Sequence, residues 1–321
     1  MKKKKKLCAS GIGGQAVLEG IMMKNKDLYS VAVRKPDGEI EVETEEYHGI
    51  LHGSPLKKIP FIRGIFMFLD SLILGTRTLT YSSSFYEDEG AKETKTDQFF
   101  NKIFGQKTEK IMMGITVVFS FVIAIAIFML LPYFLSTLFT KFIRNTSLLA
   151  LIEGLLRITI FVLYVVAISA MKDIRRVYMY HGAEHKCINC IEHGHELTVE
   201  NVQKASRQHR RCGTSFLLFV MFVSVVLFIF IRVENPLWRV LVRILLIPVI
   251  AGISYEIIRL AGRSDNFLVK ILSAPGMWLQ KLTTKEPDAD MIEVAIKAVE
   301  SVFDWREFLD IHFEQNHEDT N

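Results

Sequence analysis

Long apolar stretches separate polar ones along the second half of this chain, and four of them are long enough to cross a bilayer, which takes roughly 20 helical residues. They lie at about 112–135, 148–171, 214–232 and 237–258. The second stretch contains Glu153 and Arg157, which can pair on a helix because they lie four positions apart. Half of all residues (50%) are apolar. The pattern predicts a mainly α-helical polytopic membrane protein with about four transmembrane helices.

The first sixty residues have a different pattern. Apolar and polar residues alternate over 29–35 and again over 39–44, with the turn signal Pro36-Asp37-Gly38 between them. A small N-terminal β unit is therefore expected at 11–55. The glycine-rich start at 11–20 is interpreted as a tight turn into this sheet. A phosphate-binding loop is disfavoured because no strand precedes it and no Lys-Ser/Thr pair follows it.

Two further segments are apolar without being clear spans. Residues 59–80 are interrupted by Arg63, Gly64 and Asp70, so we expect a helix that lies in the membrane interface or packs against the bundle. Residues 260–282 are amphipathic, and Asp290 is predicted to cap a following helix.

The elements divide the chain into six predicted regions. These are a cytoplasmic β unit (1–58), an interfacial helix and polar linker (59–110), transmembrane helices 1–2 (111–171), a His/Cys/Glu-rich cytoplasmic loop (172–213), transmembrane helices 3–4 (214–258), and C-terminal cytoplasmic amphipathic helices with a tail (259–321).

The distribution of lysine and arginine predicts the orientation. Loop 172–213 contains eight of these residues, whereas the connection 136–147 contains only Lys141 and Arg144. Positive loops face the cytoplasm, so both termini and the central loop are expected there. The net charge of +4 is modest and concentrated near the spans, which suits anionic lipid headgroups better than nucleic acid. Nothing in the pattern fixes the oligomeric state, and a homo-oligomer stays open.

Metal-binding residue types crowd into the central loop. Five of the 9 histidines and three of the 4 cysteines lie between positions 180 and 212. In a reducing compartment such cysteines are ligands or bystanders rather than disulfides. His181 and His185 share one face of a helix, and with Glu184 they form the H-x-x-E-H arrangement, in which the glutamate activates water at a zinc ion. We therefore predict a divalent metal, zinc first, on His181 and His185, with Glu184 as general base.

Other residues could complete the site. His209 and Cys212 can return to the metal across the loop and leave one coordination position open, as catalytic zinc requires. Glu192 and Glu256 are additional carboxylate candidates. Glu256 can instead form an ion pair with Arg259 or Arg263.

Three alternatives remain open from the residues alone. The two histidines can sit at headgroup level beside Tyr178 and Tyr180 as interfacial residues. A separate structural zinc site can form from the residues Cys187, Cys190, His193 and His195. Finally, Cys212 or Cys187 can act as a thiolate nucleophile.

Several longer motifs also carry a family resemblance. The chain resembles the YqhQ-like bacterial membrane proteins, a family of unknown function often labelled a predicted metal-dependent enzyme. The resemblance covers about residues 11–300 and rests on the motifs at 13–23, 60–64, 180–186, 209–216 and 252–256. It implies a multi-pass protein of the bacterial cell membrane. The family pattern matches at His181, Glu184, His185, Glu192, His209 and Cys212, but does not include Cys187, His193 or His195.

The leading hypothesis is a membrane metal-dependent hydrolase that acts at the cytoplasmic face. Its substrates would be lipid headgroups, isoprenoid phosphates or membrane-tethered peptides. The main alternative is a non-catalytic scaffold or regulator whose cytoplasmic loop is folded by a structural metal and docks a partner protein.

Overall fold

The computed structural model describes residues 8–86, 108–231, 233, 235–261 and 267–314. The chain divides into two compact units. The first unit comprises 1–86, 165–220 and 245–321, and the second comprises 87–164 and 221–244.

The N-terminal residues form an antiparallel meander, as the alternation predicted. Within the described residues the sheet has four strands in the order β1-β2-β3-β4. The turn predicted at positions 36–38 joins β3 to β4, and Gly38 adopts the φ of +91° that this turn requires. The strands are β1 (Gly13–Val17), β2 (Gly20–Asn25), β3 (Leu28–Arg34) and β4 (Ile40–Glu46).

Helices account for most of the remaining described chain. They are α1 (Ile62–Ser84), α2 (Thr108–Ile125), α3 (Leu131–Thr137), α4 (Thr146–Ser169), α5 (Lys172–Glu192), α6 (Val199–Lys204), α7 (Gly213–Phe230), α8 (Pro236–Ala261), α9 (Phe267–Thr283), α10 (Ala289–Glu300) and α11 (Trp305–Leu309). A π-helical turn at Ala126–Leu130 joins α2 to α3, a 3₁₀ turn at Pro55–Lys58 precedes α1, and a second π turn at Asp310–Glu314 follows α11.

Four helices among the described residues are long and apolar enough to cross a membrane, which confirms the predicted membrane architecture. They cover Gly114–Thr137, Thr146–Ser169, Gly213–Phe230 and Trp238–Leu260. Each lies within three residues of its predicted span.

Both faces of the sheet are buried within the first unit. Ile21 and Ala32 join a core formed with α5 and α10, whereas Met22 and Val31 face Leu74 of α1. The side chain of Ser30 points into the first of these cores, where its hydroxyl donates to the carbonyl oxygen of Ala298 at 2.6 Å. The alternation predicted a sheet but not that helices cover it on both sides.

Helix α1 packs against α8 as well as against the sheet. A Cβ added to Gly64 would lie 3.0 Å from the Cα atom of Gly252, so the two backbones approach closely through glycine. Helix α1 is not among the described helices that meet the length and composition of a membrane span.

The predicted Glu153–Arg157 pair belongs to a larger buried cluster in the second unit. Arg157 Nη2 lies 2.8 Å from Glu153 Oε1, and Arg243 Nη1 lies 2.7 Å from the same oxygen. Arg157 also donates to Ser224 Oγ and to the carbonyl oxygen of Phe128 in the π turn. Since these charged groups are buried, each depends on the others for its polar partners.

The helix cap predicted at Asp290 is wrong. Asp288 occupies the N-cap position with extended backbone angles, and its side chain accepts a hydrogen bond from the Met291 N–H at 2.9 Å. Asp290 lies in the first turn instead. Asp288 and Asp290 are the same residue type two positions apart, so the sequence does not show which of them is the N-cap. The backbone conformation identifies Asp288.

Candidate metal centre

Helix α5 carries most of the candidate site. It runs without interruption over Lys172–Glu192 and ends where Gly194 takes a φ of +76°. Its second half is enclosed, and Gly182 through Glu192 are all buried. The segment named as a loop from the sequence is therefore mainly one helix, followed by a short return segment, 193–212, that contains α6.

The two histidine rings lie side by side on this helix. Their centroids are 4.4 Å apart. His181 Nδ1 lies 2.9 Å from the carbonyl oxygen of Thr283, and His185 Nδ1 lies 2.7 Å from that of Arg207. A carbonyl oxygen only accepts, so each Nδ1 carries a proton, and Nε2 is the ring nitrogen left to offer a lone pair to a metal. A hydrogen bond from the other ring nitrogen to a backbone carbonyl is the contact that orients histidine ligands towards a metal.

The sulfur of Cys212 completes a group of three ligand atoms. His181 Nε2 lies 3.2 Å from Cys212 Sγ, and the ligand atoms of His181, His185 and Cys212 all lie within 4.8 Å of one another. Tetrahedral zinc with Zn–N near 2.0 Å and Zn–S near 2.3 Å separates nitrogen from sulfur by about 3.5 Å. The three residues therefore fit one zinc ion with little adjustment.

The return segment is fastened to α5 by side chains of the helix itself. Asn189 Nδ2 donates to the carbonyl oxygens of Ser206 and Gln208 at 2.7 and 3.0 Å. The buried ammonium of Lys186 donates to those of Gln203 and Ala205. Together with the His185 bond, these contacts fix the path of the backbone that leads to Cys212.

The Glu184 side chain lies beside the two histidines and is buried from solvent. Its Oε2 is 3.9 Å from His181 Nε2. Burial raises the pKa of the Glu184 carboxyl above its usual range, and the nearby His181 and a hydrogen bond from the Gly14 backbone lower it in part. A carboxyl group whose pKa is raised by burial suits proton transfer better than a solvated one.

Two glycines make the site possible by letting backbones approach. A Cβ added to Gly14 of β1 would lie 2.9 Å from Glu184 Cγ. A Cβ added to Gly182 would overlap the carbonyl oxygen of Lys285. Lys285 also donates its N–H to the Tyr178 carbonyl oxygen at 2.8 Å, so the chain after α9 is held directly against α5. That contact places the Thr283 carbonyl at His181.

The three ligand candidates and Glu184 open onto one small cavity. Its volume is about 100 Å³, enough for a metal ion and a few water-sized groups. It is lined by Ile12, Gly13, Gly14, His181, Glu184, His185, Ile188, His209, Arg211, Cys212 and Gly213.

His209 borders the cavity but points elsewhere. Its Nε2 lies 3.3 Å from Glu192 Oε2, and the centroid of its ring is 5.8 Å from that of His185. Burial lowers the pKa of His209, while the Glu192 carboxylate opposes this shift. Among the described residues His209 is not part of the three-residue ligand group.

Glu192 is an anchor rather than a ligand in this arrangement. Its carboxylate accepts hydrogen bonds from the backbone and hydroxyl of Ser10, at 2.8 Å each, and pairs with Arg211 and His209. Burial alone would raise the pKa of Glu192, but the His209 hydrogen bond and the Arg211 charge outweigh it and lower the pKa to about 2. Glu192 thus ties the N-terminal residues to the end of the return segment.

The structure places Glu256 away from these ligands. Its carboxylate pairs with Arg63 of α1, with Arg63 Nε 2.7 Å from Glu256 Oε1. Arg259, one of the two partners considered from the sequence, is 4.0 Å away. Arg263, the other, lies outside the described residues.

The separate C-x-x-C site is not assembled. Cys187 and Cys190 belong to the apolar core, where burial raises the pKa of both thiols, that of Cys190 to about 12. The Cys190 thiol donates to the carbonyl oxygen of Glu196 at 3.3 Å. His193 and His195 are exposed. Within the described chain these four residues do not form a ligand group, and the buried thiols do not suit a nucleophile.

The interfacial-belt interpretation also fits poorly. His185 is only 1% exposed and Tyr180 is likewise 1% exposed, so neither side chain reaches a headgroup region. Tyr180 packs in the core and its hydroxyl lies 3.3 Å from Glu19 Oε2.

Comparison with known proteins defines the family. Residues 59–305 match the family described as "Protein of unknown function (DUF1385)". The chain is 39% identical over 289 residues to "Uncharacterized protein YqhQ" of Bacillus subtilis (strain 168), which covers 89% of this chain and 90% of that protein. No solved structure matches the chain. The resemblance noted in the motifs is thereby confirmed, while neither comparison supports the label of metal-dependent enzyme. The chain belongs to the DUF1385 family.

Proposed function

We propose that this protein is a membrane metal-dependent hydrolase whose centre is His181, His185 and Cys212. The observation that carries the proposal is the pair of Nδ1–H bonds to the Thr283 and Arg207 carbonyls, because they leave both Nε2 lone pairs available beside the Cys212 sulfur. The contact of His181 Nε2 is the Cys212 sulfur itself; a core histidine with an unrelated partner there would not form a three-ligand group around a cavity.

The donor set favours zinc. Two imidazoles and one thiolate are borderline-soft ligands, and three protein ligands beside an open cavity are typical of catalytic rather than structural zinc. A divalent metal held there would act as a Lewis acid and lower the pKa of water towards neutrality.

Glu184 takes the role of general base. Its carboxyl group borders the same cavity as the ligands, and burial raises its pKa, which favours taking up a proton and returning it to a leaving group. Arg211 also lines the cavity, where its guanidinium group is paired with Glu192. The substrates that we propose are groups at the membrane face, such as a lipid headgroup or an isoprenoid phosphate.

The proposed location is the cytoplasmic face of the bacterial cell membrane. The excess of lysine and arginine in 172–213 over the connection 136–147 supports this orientation. The centre lies between two apolar helices along the chain, since α4 ends at Ser169 and α7 begins at Gly213. A substrate embedded in lipid would therefore approach it from the membrane surface.

The first experiment measures bound metal. The full-length protein is purified in detergent, and zinc, iron and manganese are quantified for the wild type and for His181→Ala, His185→Ala and Cys212→Ser. We expect about one zinc per chain in the wild type and a loss in each variant. His193→Ala, an exposed histidine at the end of the same helix, is the matched control and should retain the metal. Unchanged stoichiometry in the three ligand variants would remove the proposal.

The second experiment separates an enzyme from a scaffold. Glu184→Gln keeps the size of the side chain and should leave zinc content unchanged. Turnover of lipid phosphates, lipid esters or lipopeptides presented in vesicles, followed by mass spectrometry, should fall by about 10²–10⁴-fold if Glu184 is the base. A variant that works as well as the wild type would instead support the structural-metal scaffold.

A second candidate function is catalysis by a cysteine nucleophile, because the Cys212 sulfur lies close to the His181 ring. The 3.2 Å between His181 Nε2 and Cys212 Sγ is also that of a Cys–His dyad. Alkylation by iodoacetamide distinguishes the two functions. If zinc is bound, Cys212 becomes reactive only after chelation, whereas in a dyad Cys212 reacts equally with and without a chelator.

A further inference from the structure

A second cavity lies in the first unit, beside α1. Its volume is about 150 Å³. The turn between β2 and β3, the connection from β4 to α1, and the first half of α1 form its walls. It is lined by Lys24, Lys26, Asp27, Tyr47, Gly49, Leu51, His52, Lys57, Arg63, Phe66, Met67, Asp70, Ser71 and Leu74.

The polar side of this cavity has an excess of positive charge. Four cationic and two acidic side chains line it. The Asp70 carboxylate is engaged within the protein, because it accepts hydrogen bonds from the Tyr47 hydroxyl and the Ile50 N–H at 2.9 Å each. Arg63 is committed to Glu256. The charges that face the cavity without a buried ion-pair partner are therefore mainly those of the lysines.

Lys24 is the most informative of them. Its ammonium group donates to the Tyr47 carbonyl oxygen at 3.2 Å and lies 4.6 Å from the centre of the Tyr47 ring. Burial lowers the pKa of Lys24, and nearby Lys57 lowers it further, while Asp27 and Asp70 raise it. Lys24 and Lys57 line the same cavity, so an anion bound there would be stabilised by both ammonium groups.

The opposite side of the cavity is apolar and continues along α1. Phe66, Met67 and Leu74 form the wall, and Leu69, Leu72 and Ile73 expose further apolar surface on the same helix, with Ile73 50% exposed. Apolar surface next to basic residues is typical of a segment that contacts lipid.

We propose that this cavity binds the headgroup of an anionic phospholipid, with the phosphate between Lys24 and Lys57 and the acyl chains along the exposed apolar residues of α1. A free phosphate ion shares the anionic chemistry but has no use for the apolar surface. The inference does not rest on the proposed hydrolase, since no residue is common to the two cavities.

A group of metal-type residues lies at the rim of the same cavity. Asp27, His48 and His52 bring their ligand atoms within 4.8 Å of one another, but all three are exposed. Asp27 and His52 line the cavity together with its three lysines, Lys24, Lys26 and Lys57, whose positive charge opposes a divalent cation. The electrostatics favour an anion as the occupant.

The experiment uses the full-length protein in a neutral detergent and native mass spectrometry. Phosphatidylglycerol, phosphatidic acid and phosphatidylcholine are titrated into the wild type, Lys57→Gln, the double variant Lys24→Gln/Lys57→Gln, and Lys58→Gln. Lys58 is the matched control because it is an exposed lysine next to Lys57 that does not line the cavity. Inorganic phosphate and the short-chain dihexanoyl phosphatidic acid are titrated as competitors.

We expect the anionic lipids to bind in preference to phosphatidylcholine. The double variant should bind them roughly 10- to 30-fold more weakly and Lys57→Gln roughly fivefold more weakly, because each lysine near an anionic lipid contributes a similar factor. Lys58→Gln should bind as the wild type does. Zinc content should be the same in all four proteins, which keeps this result separate from the fate of the metal centre.

Three outcomes would overturn the proposal. The first is equal lipid affinity in the double variant and the wild type. The second is equal weakening by Lys58→Gln, which would show a diffuse charge effect. The third is displacement of long-chain lipid by inorganic phosphate as effectively as by unlabelled lipid, which would assign the cavity to a free anion. The exposed Lys57→Gln substitution keeps the test decisive even if the Lys24 substitution reduces stability.

Discussion

Gly182 offers the sharpest test of how the candidate metal centre is built. An alanine Cβ at this position would overlap the carbonyl oxygen of Lys285, so that the segment after α9 must move away from α5. Two hydrogen bonds depend on this contact, from the Lys285 N–H to the Tyr178 oxygen and from His181 Nδ1 to the Thr283 oxygen.

The magnitude follows from opposing effects. Alanine in place of glycine stabilises a helix by about 1 kcal/mol. Overpacking costs about 1–3 kcal/mol, and each of the two hydrogen bonds contributes about 1 kcal/mol. The net expectation is a loss of about 2–4 kcal/mol in the free energy of unfolding. Zinc affinity should also fall about 10- to 100-fold, because His181 loses the carbonyl that orients it.

The assay is chemical unfolding in detergent together with competitive zinc titration. Gly114→Ala is the matched control, since Gly114 lies in α2 and nothing lies within 4 Å of an added Cβ. The control should gain stability by up to about 1 kcal/mol and keep its zinc affinity. The reasoning fails if Gly182→Ala behaves like Gly114→Ala in both measurements.

Other expectations concern separate parts of the molecule. Asn189→Ala should lower the free energy of unfolding by about 1–3 kcal/mol, because two carbonyl oxygens of the return segment lose their donor; Asn201→Ala, on the exposed α6, should change it by less than half as much, and urea unfolding distinguishes the two. Glu153→Gln should cost about 3–5 kcal/mol by leaving two buried guanidinium groups without their carboxylate, whereas the half-exposed Glu300→Gln should cost no more than about 1 kcal/mol; thermal unfolding that ranks them equally would contradict the buried cluster. Burial raises the pKa of the Cys190 thiol from 9.0 to about 12, so at pH 8 only about one molecule in ten thousand carries its thiolate, and alkylation followed by peptide mapping should find Cys190 unmodified until the protein unfolds. Because this pKa is higher in the folded state, the stability that burial of the neutral thiol contributes should be complete below pH 9.0 and decline as the pH rises towards about 12.

The membrane spans and the β unit were predictable because they depend on local patterns. Span length and strand alternation are written into consecutive residues, so the apolar stretch at 148–171 corresponds to Thr146–Ser169 in the structure. Likewise, the spacing of His181 and His185 placed both rings on one face of α5. The metal hypothesis itself stays a prediction.

The partners of those rings could not be predicted from the same patterns. The groups that orient the histidines are backbone carbonyls of Thr283 and Arg207, and a carbonyl oxygen has no residue type to signal it. Similarly, Glu256 pairs with Arg63 across 193 positions, while the sequence suggested arginines close to it. Asn189 carried a signal that was overlooked, because a buried amide on a helix needs acceptors and those of the return segment are the nearest.

The carbonyl contact on His181 has a consequence for biosynthesis. Thr283 lies 102 positions after His181. The His181 ring of a growing chain therefore lacks this hydrogen bond until α9 has left the ribosome. Under the proposed function, metal acquisition should therefore be post-translational, and a ribosome-bound intermediate that ends before Thr283 should take up zinc poorly although it contains all three proposed ligands.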